Sequence, residues 1–82
     1  MPLECDERGD FVLDPALLCA RLSLTEAELR RRMRLGQVTS QVEIGIGDDE
    51  GLSRLTVRSG SAVWRAVVDR TNEVVEEERI DL

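Results

Sequence analysis

The sequence predicts an α+β domain: two short helices packed on one face of an antiparallel β-meander, with an N-terminal β-hairpin. Three observations predict it. Two helix-start signals lie between Asp14 and Leu35, each followed by apolar residues three or four apart. From Val38 onward the apolar period changes to two. The connections between those alternating segments are too short for a crossover, so the strands must be antiparallel neighbours.

The first element is the hairpin. Leu3 and Cys5 alternate with acids, Phe11 and Leu13 stand on either side of Val12 between Asp10 and Asp14, and Asp6-Glu7-Arg8-Gly9-Asp10 between the two pieces is a turn-forming cluster. Asp14-Pro15 then opens a helix, with Asp14 as N-cap and proline in the first helical position. Leu17, Leu18 and Leu22 form its apolar side, and it ends near Ser23. A stronger start follows. Thr25-Glu26-Ala27-Glu28 fits a capping box, and Leu24 with Leu29 fits the hydrophobic staple around it. This second helix runs to about Leu35, with Gly36 placed to end it. Leu29 and Met33 are expected inward, and Glu26–Arg30 and Glu28–Arg32 as surface pairs.

Val38, Val42, Ile44 and Ile46 mark a half-buried strand, and Gly47-Asp48-Asp49-Glu50-Gly51 the turn after it. Leu55 and Val57 alternate with Arg54, Thr56 and Arg58 before a tight turn at Ser59-Gly60. In the next strand Trp64, Ala66 and Val68 share one face and Val63, Arg65 and Val67 the other. Asp69-Arg70-Thr71-Asn72 turns the chain into a last strand from Val74 to Ile80.

Composition bounds the function. A chain of 82 residues is expected to form one domain over 1–82, near the size at which a single core is barely sufficient. Phe11 and Trp64 are the only aromatics, so aliphatic side chains must build the core. There is no histidine, lysine or tyrosine, which removes imidazole, Schiff-base and phenol chemistry. Cys5 and Cys19 have no metal-ligand spacing and are expected as buried or half-buried free thiols in a reducing compartment. Met1 to Asp10 is acidic where a secretion signal is basic and then apolar, and no apolar run reaches membrane length, so the cytoplasm is the expected location.

The acidic clusters read as surface. In a strand Glu76, Glu77 and Glu78 point alternately to opposite faces and cannot converge on one ion; they suit a solvated edge. Asp48-Asp49-Glu50 lacks the spacing of a calcium loop, and Gly45-Ile46-Gly47 lacks the third glycine of a dinucleotide fingerprint. We expect no catalytic, metal or cofactor residue.

Leu18-Cys19-Ala20-Arg21-Leu22-Ser23-Leu24-Thr25, then Leu29 to Met33, then Gly36-Gln37-Val38, resembles the helix-turn-helix of small bacterial regulators and excisionase-like proteins. The resemblance covers residues 18–38. It implies a second helix presenting Arg30, Arg31, Arg32 and Arg34 to nucleic acid, and a β-wing within Val42 to Arg58. The first turn of that helix instead offers Glu26, Ala27 and Glu28 where base contacts are usually made, and the net charge of −6 repels phosphate. Over nearly its full length the chain also resembles small uncharacterised bacterial proteins, a domain-of-unknown-function family. That resemblance rests on Phe11-Val12-Leu13-Asp14, Leu29 to Met33, Gly36 to Ser40, and Val67-Val68-Asp69. It implies the fold and no activity.

The reading favoured by the sequence is a non-catalytic interaction or regulatory module, with a winged-helix-like DNA-binding protein as the alternative. The expected partner is a second copy or another protein, with no membrane. Val63 and Val67 give the third strand of the meander a second apolar face. They are the candidate self-association residues, with the N-terminal hairpin as the competing cover for that face.

Overall fold

The computed structural model describes residues 2–45 and 51–82. A two-stranded antiparallel hairpin, β1 (Glu4–Cys5) and β2 (Phe11–Val12), precedes two helices, α1 (Pro15–Leu22) and α2 (Glu26–Arg34). Four strands follow: β3 (Val38–Ile44), β4 (Ser53–Ser59), β5 (Ala62–Val68) and β6 (Val74–Asp81). They pair antiparallel in chain order, β3-β4-β5-β6, so the α+β meander read from the sequence is the observed topology. The expected turn at Gly47-Asp48-Asp49-Glu50-Gly51, the Asp48-Asp49-Glu50 cluster and Ile46 lie largely or wholly outside the described residues.

Each helix begins and ends for an identifiable reason. The Asp14 carboxylate accepts the Ala16 N–H at 2.8 Å, and Pro15 opens α1 without losing a needed donor. Ser23 closes α1 in the left-handed region (φ 54°), and Leu24 N–H returns to the Cys19 carbonyl at 3.0 Å. The capping box of α2 is present in both directions. At its other end Leu35 is the cap, Gly36 adopts φ 69°, Gly36 N–H reaches the Met33 carbonyl at 3.2 Å and Gln37 N–H reaches that of Arg32 at 2.8 Å. These two bonds are the Schellman pattern, which satisfies carbonyls that the helix itself leaves open.

The core lies between the helices and one face of the sheet. Leu18 and Leu22 of α1 and Leu29 of α2 pack with Leu55, Val57, Trp64, Ala66 and Val68. Cross-strand register explains that set: Leu55 is opposite Ala66 and Val57 opposite Trp64, so all four point to the same side. Burying side chains of this size contributes about 1.5–3 kcal/mol each, before chain entropy is counted. Leu3 joins the same cluster, with Phe11 and Leu13 packed against it, and Leu3 N–H donates to the Asn72 carbonyl at 2.7 Å.

Three expectations need correction. The N-terminal hairpin packs on the helix side and does not cover the face of Val63 and Val67, because Leu3, Phe11 and Leu13 are drawn to the common core. Met33 is 55% exposed, since α2 buries Leu29 and its last turn lies at the rim where the chain turns into β3. Cys5 is exposed, because β1 is two residues long and reaches the core through the preceding Leu3 alone; Cys19 is half-buried as expected, and both thiols are free.

Candidate functional site

The two edges of the sheet differ sharply. β6 carries Glu76, Glu77, Glu78, Arg79 and Asp81 in eight residues. Its register against β5 slips between Val67–Glu76 and Val68–Val74, which leaves Val75 as an extra residue. That bulge lets Val74 face the core while Glu77 also lies on the helix side. Glu77 there meets the Arg21 Nε at 2.7 Å, and the Arg21 guanidinium carbon lies 6.0 Å from the Trp64 ring centroid. On the opposite face Glu78 pairs with Arg65 at 3.1 Å. Arg79 reaches the Ser23 hydroxyl and Asp81, which ties β6 to the turn between the helices. The three consecutive glutamates thus diverge to both faces, as strand alternation requires. Charge and a bulge are the devices by which proteins keep an edge from pairing with another chain.

β3 has neither device. Its sequence, Val-Thr-Ser-Gln-Val-Glu-Ile, carries one charged residue, and that residue, Glu43, is already paired with Arg54 on β4 at 3.5 Å. Among the described residues no strand pairs with its outer side. Register with β4 places Val38, Ser40, Val42 and Ile44 on the helix side and Thr39, Gln41 and Glu43 on the other. The helix layer covers only the Val38 end, where Arg32 of α2 donates to the Ser59 hydroxyl at 3.0 Å, Ser59 being the partner of Val38. At the other end Val42 is 44% and Ile44 is 84% exposed. Leu35, beside the covered end, is 59% exposed. The result is a seven-residue edge with no strand against its outer side among the described residues and an apolar border.

The sequence-derived candidates fall elsewhere. Arg30 is paired with Glu26 on the helix surface, and Arg32 is drawn to Ser59 in place of the expected bond to Glu28. Arg31 and Arg34 are exposed. Arg31 and Arg32 line a cleft of about 240 Å³ with Glu28, Leu35 and Gln37, so an acid sits among those arginines. The segment expected as a wing is half of a four-stranded sheet whose helix-side face is core. Nothing in this arrangement favours DNA binding. Val63 is 6% exposed within one copy, flanked across the strands by Arg58 and Ile80, and Val67 is half-buried between Arg54 and Glu76. A second groove, of about 510 Å³, runs between the hairpin and α1, lined by Leu3, Val12, Leu13, Pro15 and Leu17 among others.

Two carboxyls are held below their ordinary range, and both serve structure. Glu28 is lowered by the Thr25 N–H and hydroxyl, with a smaller contribution from Arg32. Asp69 is lowered by the Thr71 hydroxyl and the Glu73 N–H, which fix the turn before β6. Among the described residues no three acids or thiols gather as a metal site, and no helix is long and apolar enough to cross a membrane.

The β3 edge was missed by sequence reasoning that looked for side-chain constellations. Its signal was present: in a meander the first and last strands are the edges, and only the last one carries protective charge.

The molecule is therefore a two-layer α+β domain with one guarded and one open sheet edge. Over residues 1–82 the chain belongs to a family of unknown function, DUF6522. No curated protein and no solved structure matches it.

Proposed function

We propose that the domain is a non-catalytic interaction module that accepts an extended protein strand along β3. The observation that carries this reading is the open seven-residue edge with Val42 and Ile44 exposed beside it. Strand addition of this kind takes affinity from main-chain hydrogen bonds and specificity from alternate side chains. Here three of the four helix-side positions of the edge are apolar (Val38, Val42 and Ile44, with Ser40 between them) and the other side is polar, so an amphipathic strand fits it. The free thiols of Cys5 and Cys19 are in keeping with a reducing compartment such as the cytoplasm.

The test is photo-cross-linking in cells expressing the full chain, with a photoreactive residue at Gln41 on the open edge or at Glu78 on the guarded one. Adducts with protein are expected from position 41, lost with Val42→Lys, and not from position 78. Equal yields from both positions, or none from position 41, would overturn the reading.

A further inference from the structure

We propose that the strand accepted by β3 is β3 of a second copy, forming an antiparallel twofold dimer centred on Gln41; this rests on the interaction reading above. The argument is self-complementarity. Full overlap of Val38–Ile44 with its own copy sets Gln41 opposite Gln41, Ser40 opposite Val42, Thr39 opposite Glu43 and Val38 opposite Ile44. Residues directly opposite in an antiparallel pair share a face, so each copy's apolar side continues the other's. No like charges meet: each Glu43 faces a threonine, and the two Glu43 side chains stand four positions apart, about 14 Å at the usual strand rise.

The ends fit as well. The corner that the helix layer leaves bare, Ile44, is set against Val38, where the partner's α2 ends in exposed Leu35. Each copy thus supplies cover for the part of the sheet that the other leaves uncovered. A net charge of −6 per chain opposes association in general, and β3 is the edge where that charge is sparse. Pairing would turn two four-stranded sheets into one continuous eight-stranded sheet, with both helix layers on the same side and the charged β6 strands at its two limits.

The experiment uses the purified full chain. Light scattering after size exclusion, across a concentration series, should give twice the 9.2 kDa chain mass, falling to the single-chain mass with Val42→Lys. Far-ultraviolet circular dichroism checks that this variant stays folded. The register is tested in a Cys5→Ser, Cys19→Ala background. Directly opposite Cα atoms lie about 4.5–5.5 Å apart, within disulfide reach, so Gln41→Cys should cross-link on mild oxidation. Thr39→Cys should not, because its own copy is four positions away.

A chain that stays monomeric to high micromolar concentration overturns the dimer. If position 41 still cross-links to a different protein in cells, only the identity of the strand was wrong; if it cross-links to nothing, the interaction reading falls too. A dimer that survives Val42→Lys and fails to cross-link at position 41, or that is dissociated by Val67→Asp instead, places the interface elsewhere and overturns the proposal.

Discussion

Thr25 and Glu28 hold each other's backbone: the Glu28 N–H donates to Thr25 Oγ1 at 3.1 Å, and the Thr25 N–H donates to Glu28 Oε1 at 3.2 Å. This reciprocal pair fixes where α2 begins, and with it the position of Leu29 in the core. Thr25→Ala removes one acceptor and leaves a helix N–H without its partner. It should cost about 1 kcal/mol, as N-cap truncations do, while Thr25→Ser should cost much less. Urea denaturation followed by circular dichroism measures both.

The same pair makes stability depend on pH. Glu28 and Asp69 are both held below their ordinary values, near 4.5 and 3.8, by hydrogen bonds that the unfolded chain lacks. A carboxyl with a depressed folded-state pKa stabilises the fold above its unfolded value, and that contribution is lost as pH falls through the folded value. The thermal midpoint should therefore begin to drop on acidification near pH 4.5 and continue to drop below 3.8. Glu28→Gln and Asp69→Asn should each flatten that acid limb and leave it no steeper. A midpoint series from pH 7 to pH 3 in either variant, compared with the parent, reads the difference.

Gly36 is at φ 69° with open space around the position of a missing Cβ, so substitution there is opposed by backbone conformation and not by a clash. Gly36→Ala should cost roughly 1–2 kcal/mol, the usual penalty for a side chain in the left-handed region. Because the two Schellman bonds hand the chain from α2 to β3, the loss should appear first as faster amide exchange at residue 36 and at Gln37, the two donors. Unchanged exchange at those residues with an unchanged denaturation midpoint would show that the turn is not held as described.

Most of the fold was legible because its signals are local. Capping residues, turn residues and the change of period at Val38 each act within a few positions, and each placed its element within a residue or two. What the sequence left open depends on contacts between distant segments. Met33 has the spacing of an inward residue, yet exposure is decided by where α2 ends relative to the sheet. Val63 and Val67 read as an uncovered apolar face, whereas Val63 is buried within one copy beside Arg58 and Ile80 on neighbouring strands. The one-residue slip at Val75 was hidden for the same reason: a bulge is a property of two strands, and only one is visible in any short stretch of sequence.

Trp64 joins both kinds of information, and its environment can be measured directly. It is among the largest fully buried side chains, lying between Val57 and Arg79 on the neighbouring strands, and its indole N–H has no hydrogen-bond partner among the described residues. As the single tryptophan it reports the core alone, so native emission should be blue-shifted and move to the red on unfolding. Trp64→Ala should cost about 3–5 kcal/mol, enough to unfold a domain of this size or bring it close. Trp64→Phe discriminates further. It loses part of the ring volume, but it also removes a buried donor whose desolvation costs about 1–3 kcal/mol when unpaired. The phenylalanine variant should therefore retain most of the stability that alanine loses. Denaturation of both variants, followed by circular dichroism because the fluorophore is gone, decides it. A phenylalanine variant as unstable as the alanine one would show that the indole N–H is satisfied in solution and that its bond supports the core.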